Sequence, residues 1–160
     1  MSTVSTSPRR GRRVAAFALG ALAVVAVASG CSSSEDSSSD ATADQTAVVD
    51  TLSSYYSAFG ADDGPKACGY LDPELAAKLA TTGPDGTCES AVNAGHKNAG
   101  AEALTKLSEL KYDATKVVVE GDTAKLSTKD VAELNGKATD STAQIVLTRD
   151  GDNWKIVDLG

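Results

Sequence analysis

The sequence predicts an α+β domain in which helices come first and an antiparallel meander follows. Three observations carry that prediction. Val48, Leu52, Tyr55, Tyr56 and Phe59 recur at i, i+4, i+7, i+8 and i+11, which is one apolar stripe on a helix. Pro65 and Pro73 each sit where a short helix can open, each followed by apolar residues at helical spacing. Beyond Tyr112 the pattern changes to strand-like alternation punctuated by Gly-Asp and Asp-Gly pairs. Such an order of elements packs helices on one face of an antiparallel sheet.

The elements follow in turn. The first helix starts near Thr46, with Asp44 placed to cap it, and Gly60 with the run Ala61–Gly64 stops it. A second, short helix opens at Pro65 and turns Ala67, Cys68, Tyr70 and Leu71 inward. A third opens at Pro73 and buries Leu75, Ala76 and Leu79. Thr81–Gly86 reads as a loop, after which Thr87 caps a helix with Cys88, Ala91 and Val92 on one side. Asn93–Asn98 is polar and glycine-containing and reads as a loop that exposes His96. A last helical stretch covers about 99–108, with Leu104 and Leu107 inward.

Two hairpins are expected. A Gly121-Asp122 turn pairs Val119 with Ala124 and Val117 with Leu126, both on one face. An Asp150-Gly151 turn pairs Leu147 with Trp154, Ile145 with Ile156 and Arg149 with Asp152. Between them, Asn135-Gly136 marks a turn within a weaker edge strand.

Upstream of this domain the composition is different. Arg9, Arg10, Arg12 and Arg13 precede an uncharged run from Val14 to Ser29, then Gly30-Cys31, then serine and aspartate. The run of about 16 residues is short for a spanning helix, which needs roughly 20. The order resembles a bacterial lipoprotein export signal, although that family prefers Leu, Val or Ile where Ala28 stands. The resemblance implies that residues 1–30 are a signal peptide and that Cys31 carries lipid. It further implies that the protein lies on the outer face of the cell membrane. The paired arginines also occur in twin-arginine signals, but the neighbouring residues fit the general secretion route better. Residues 31–45 then form the lipidated cysteine and a Ser/Asp tether, with a reach on the order of 20 Å. Residues 46–160 form a single domain.

After Cys31 there are 11 basic and 22 acidic residues, a formal charge of −11. Such a surface repels nucleic acid and anionic lipid, so no nucleic-acid partner is expected. Two cysteines, Cys68 and Cys88, remain for an oxidising compartment, and a disulfide between them is expected. A redox pair fits less well, because such cysteines usually flank two residues. A metal site also fits poorly, because His96 is the only histidine. No cofactor or metal is implied, and no catalytic motif occurs. Asp150-Gly151-Asp152-Asn153 lacks the remainder of a calcium loop and reads as a hairpin turn.

The long first helix, the glycine break, the segment Asp63-Gly64-Pro65-Lys66-Ala67-Cys68 and a meander closing on Asp150–Val157 together resemble an NTF2-like, cystatin-like α+β cone. The likeness is to the form found in small actinobacterial lipoproteins, where the cysteines after the second and before the fourth helical segment are typically bridged. Catalytic members, such as ketosteroid isomerases and polyketide cyclases, use an Asp or His base and a Tyr or Asp donor in the cone. Here Asp50, Tyr55 and Tyr56 lie on the first helix, but none sits in a transferable motif. Tyr55, Tyr56, Phe59 and Trp154 read first as core and, alternatively, as the lining of a pocket. The resulting expectation is a non-enzymatic, lipid-anchored domain that binds a small apolar ligand or an envelope protein. A cyclase-like or isomerase-like enzyme and a self-associating envelope component are the alternatives.

Overall fold

The computed structural model describes residues 40–160; the expected signal peptide, Cys31 and the first part of the tether lie outside the described residues. Helix α1 runs Ala43–Gly60 and buries Val48, Leu52, Tyr55 and Ala58. Its cap is Thr42 rather than Asp44. Thr42 Oγ1 accepts from the Gln45 amide at 3.2 Å, and Gln45 Oε1 accepts from the Thr42 amide at 2.8 Å. The two side chains thus satisfy two orphan donors reciprocally, while Asp44 is left in the first turn, where a carboxylate favours the helix dipole. The helix ends in a Schellman motif: Asp62 takes the left-handed conformation (φ 57°), Asp63 N–H reaches the Ala58 carbonyl and Asp62 N–H the Phe59 carbonyl.

Helices α2 (Gly64–Gly69) and α3 (Pro73–Ala80) each carry a proline in the first turn and an aspartate cap, Asp63 and Asp72. Helix α4 covers Cys88–Ser108 from the Thr87 cap. The expected loop at Asn93–Asn98 is helical instead, and the interruption falls at Gly100 (φ 74°, ψ 155°), a conformation essentially confined to glycine. Tertiary contact overrides the weak local propensity there. Gly95 lets the Phe59 ring come close, since a Cβ at that position would lie 3.3 Å from it. His96, expected in an exposed loop, is half-buried, with Nδ1 2.8 Å from the Phe59 carbonyl oxygen. That oxygen can only accept, so Nδ1 carries the proton.

The sheet is a four-stranded antiparallel meander, ordered β1 (Val118–Glu120), β2 (Thr123–Ser127), β3 (Gln144–Asp150) and β4 (Asn153–Leu159). In the first hairpin Val119 pairs with Ala124 around Gly121-Asp122, as the turn residues predict. In the second the turn is Gly151-Asp152, not Asp150-Gly151. Leu147 therefore faces Ile156, Arg149 faces Trp154, and Ile145 faces Leu159 beyond a bulge. The positive φ of Gly151 (60°) places it first in the turn, as the mirror-image hairpin turns require. Moving the turn by one residue changes the partners but not the parity, so the inward set is retained. The edge strand expected around Asn135-Gly136 is absent. Helix α5 (Thr128–Leu134) stands between β2 and β3, and Asn135 caps its end.

The core joins Val48, Leu52 and Tyr55 of α1 with Ala67, Leu71 and Val92, and with Leu126, Leu147, Trp154 and Ile156 of the sheet. The outer edge of β4 is covered by Tyr70–Asp72: Ile156 N–H bonds the Tyr70 carbonyl at 2.9 Å, and Asp72 N–H bonds the Ile156 carbonyl at 2.8 Å. Cys68 and Cys88 form a disulfide with a Cα–Cα distance of 6.1 Å, fastening α2 to the first residue of α4.

Candidate functional site

Neighbouring residues on a helix point about 100° apart. Tyr55 and Tyr56 therefore separate: Tyr55 joins the core at 5% exposure, while Tyr56 turns to the side of α1 that faces the end of α4. Their rings meet edge to face at 5.0 Å. Beside Tyr56 lies a cleft of about 430 Å³. Ser53, Tyr56 and Ser57 of α1 form one wall, Leu104 and Leu107 of α4 the other, and Leu110 and Tyr112 line it from the following segment. Its volume is in the range of small-molecule sites.

Leu110 and Tyr112 also border a cleft of about 650 Å³ beside Val49 and Leu134. Tyr56 and Leu110 border a third, of about 220 Å³, that reaches Val131 of α5 and Ile145 of β3. The three clefts thus meet around Tyr56, Leu110 and Tyr112.

The phenols here are held neutral. Burial pushes the Tyr55 hydroxyl up to about 12, with a further contribution from Tyr56. Burial also raises Tyr56, and it raises Tyr112 strongly, with Tyr56 again adding to the effect. The Tyr112 hydroxyl is buried and has no hydrogen-bond partner in the protein. No Asp, Glu, Lys or Arg lines the 430 Å³ cleft.

Of the four residues expected around a pocket, Tyr56 alone lines this cleft. Tyr55 and Trp154 lie in the core, and Phe59 packs against the His96 ring at 6.1 Å. Trp154, 3% exposed, sits beneath the Arg149 guanidinium, 4.4 Å from the ring centroid. Asp50, the one carboxylate on α1 considered as a base, is exposed. In the sequence Tyr112 marks only the point where the pattern changes. The signal that could have singled it out is its isolation, an aromatic directly after the Leu104, Leu107, Leu110 series.

Among the described residues no cluster of three or more His, Cys, Asp or Glu could hold a metal ion, and no helix is long and apolar enough to cross a membrane. Compared with known proteins, the chain matches no family model, no curated protein and no solved structure.

Proposed function

We propose that the protein is a lipid-anchored, extracytoplasmic binding domain of NTF2-like type that takes a small, mainly apolar ligand into the cleft between α1 and the end of α4. The observation that carries this reading is the charge-free cleft bounded by Tyr56, Leu104, Leu107, Leu110 and Tyr112. An acidic chain that leaves a concave, leucine-lined surface free of carboxylates favours burial of apolar matter there. The order of elements, four helices before a four-stranded antiparallel sheet with α5 between β2 and β3, is an α+β arrangement compatible with the NTF2-like assignment. The basic, apolar, Gly30-Cys31 order of the leader motivates the lipid anchor.

Native mass spectrometry of the protein isolated gently from its own cells tests the binding role. A reproducible extra mass that disappears on denaturation is expected, and a bare chain from every preparation discards the small-ligand reading in favour of a protein partner. Cys31→Ala tests the anchor independently: the variant is expected in the soluble fraction, and retention on membranes refutes lipidation as the means of attachment.

A further inference from the structure

Residues 110–113, after the end of α4, lie in neither helix nor strand, yet they shape the binding region. Leu110 borders all three clefts, and Tyr112 borders two of them. One side chain ties the backbone of this segment to a distant element. Asn135, at the end of α5, accepts from the Lys111 amide through Oδ1 at 3.0 Å and donates through Nδ2 to the Lys111 carbonyl at 2.9 Å. The same Nδ2 donates to the Val131 carbonyl at 2.7 Å and so closes the last turn of its own helix. The partners fix the orientation of the amide, since a reversed one would set its oxygen against two carbonyls and its nitrogen against an N–H. The other backbone hydrogen bonds of the segment stay local: Leu110 N–H reaches the Leu107 carbonyl at 3.4 Å, and the Asp113 carbonyl accepts from Lys116 N–H at 3.0 Å. Helix α5 buries no residue completely, so the segment and the helix are two lightly packed elements fastened to each other.

We infer that Asn135 is the positioning residue of the binding region: its amide latches the backbone of Lys111, and so holds Leu110 as the partition between the 430 Å³ and 220 Å³ clefts. This inference rests on the ligand-binding reading above and adds what sets the size of the ligand. With the latch closed, an occupant is confined to one cleft. With the amide removed, both backbone groups of Lys111 turn to water, the segment shifts, and the space on the two sides of Leu110 becomes continuous. Asn135 touches no ligand in this arrangement; it acts through the wall that it holds in place.

Amide hydrogen exchange of the full-length protein, read residue by residue, tests the latch without any ligand. In the wild type the Lys111 amide is expected to exchange more slowly than those of Tyr112 and Asp113, which meet no protein acceptor among the described residues. In Asn135→Ala it is expected to exchange about tenfold faster than in the wild type. Ser127→Ala is the control: it removes the cap at the other end of α5, where Ser127 Oγ accepts from the Lys129 amide at 3.2 Å, and leaves the latch untouched. Equilibrium dialysis with two uncharged probes, indole and the larger N-phenylnaphthylamine, then reads the size limit. The ratio of affinities is expected to move toward the larger probe by about threefold or more in Asn135→Ala and to hold in Ser127→Ala. A wild-type Lys111 amide that exchanges as fast as its neighbours, a probe ratio indifferent to Asn135→Ala, or a Ser127→Ala variant that reproduces both changes overturns the inference and leaves a ligand-binding domain. Exchange altered as expected, with neither probe bound and a bare chain in native mass spectrometry, removes the ligand-binding reading and the positioning role with it.

Discussion

Arg149 stands over Trp154 with its guanidinium carbon 4.4 Å from the ring centroid, and the same guanidinium reaches Asp44 at 2.8 Å and Asp122 at 3.6 Å. One side chain thereby joins the first turn of α1, the β1–β2 turn and the β3–β4 hairpin. The planar fork suits both tasks, stacking on an aromatic face and meeting carboxylates. Arg149→Lys is expected to lower the denaturant midpoint, because an ammonium keeps the charge but loses the stacked plane. A double-mutant cycle with Asp44→Asn should give a non-zero coupling that shrinks as salt is added. Additive losses in that cycle would mean that the two side chains meet without stabilising each other.

The disulfide crosses a loop of small and polar residues, Thr81–Thr87, that gives the fold little apolar burial. In the chain-entropy account a bridge between residues 20 apart restricts the unfolded chain by roughly 3 kcal/mol. The Cys68→Ala, Cys88→Ala double variant is therefore expected to lose about 2–4 kcal/mol, read from chemical denaturation, with an unchanged native circular dichroism spectrum. A loss below about 1 kcal/mol would place the organising role in the core contacts of Ala67, Leu71 and Val92 instead.

Two adjacent aspartates at the α1–α2 junction should respond in opposite directions. Asp62 occupies a left-handed conformation (φ 57°) that glycine adopts without a Cβ penalty, so Asp62→Gly is expected to stabilise by about 0.5–1 kcal/mol. Asp63 caps α2 by accepting from the Lys66 amide at 3.1 Å, so Asp63→Ala is expected to cost about 1 kcal/mol. Thermal unfolding of the pair of variants decides the matter by sign alone. A destabilised Asp62→Gly would show that the side chain contributes more at this corner than the backbone conformation costs.

These junctions also show how far local chemistry reaches. The stripe Val48, Leu52, Tyr55, the Thr87 cap and the Gly121-Asp122 turn were legible because each is decided within a few residues. Two turn dipeptides overlap at Asp150-Gly151-Asp152, and the pattern points to the wrong one, Asp150-Gly151; the turn is Gly151-Asp152, with Gly151 at positive φ in its first position. Asn93–Asn98 was misread because its helix depends on a partner distant in sequence, the ring and carbonyl of Phe59. The cleft was legible only through Tyr56. Periodicity sets Tyr55 and Tyr56 on one broad stripe, and only the packed structure separates the core phenol from the one that meets Tyr112.

The same phenols give the fold an alkaline limit. The folded-state value of Tyr55 is raised from 10.0 to about 12, so the native state holds its proton more tightly than the unfolded chain does. For a group raised in this way the stabilisation is fully present below the unfolded value and disappears as pH climbs through the folded one. Tyr112 is raised in the same direction by burial and by Tyr56, so its loss begins in the same range and extends further. Stability measured by denaturant titration is therefore expected to be insensitive to these groups up to about pH 10 and to decline between about 10 and 12. Tyr55→Phe should flatten the decline, since a ring without a hydroxyl has no proton to release. For Tyr55 alone the window is worth on the order of 2–3 kcal/mol, at about 1.4 kcal/mol per unit of displacement. An unfolding curve equally steep in wild type and in Tyr55→Phe would assign the alkaline transition to other groups.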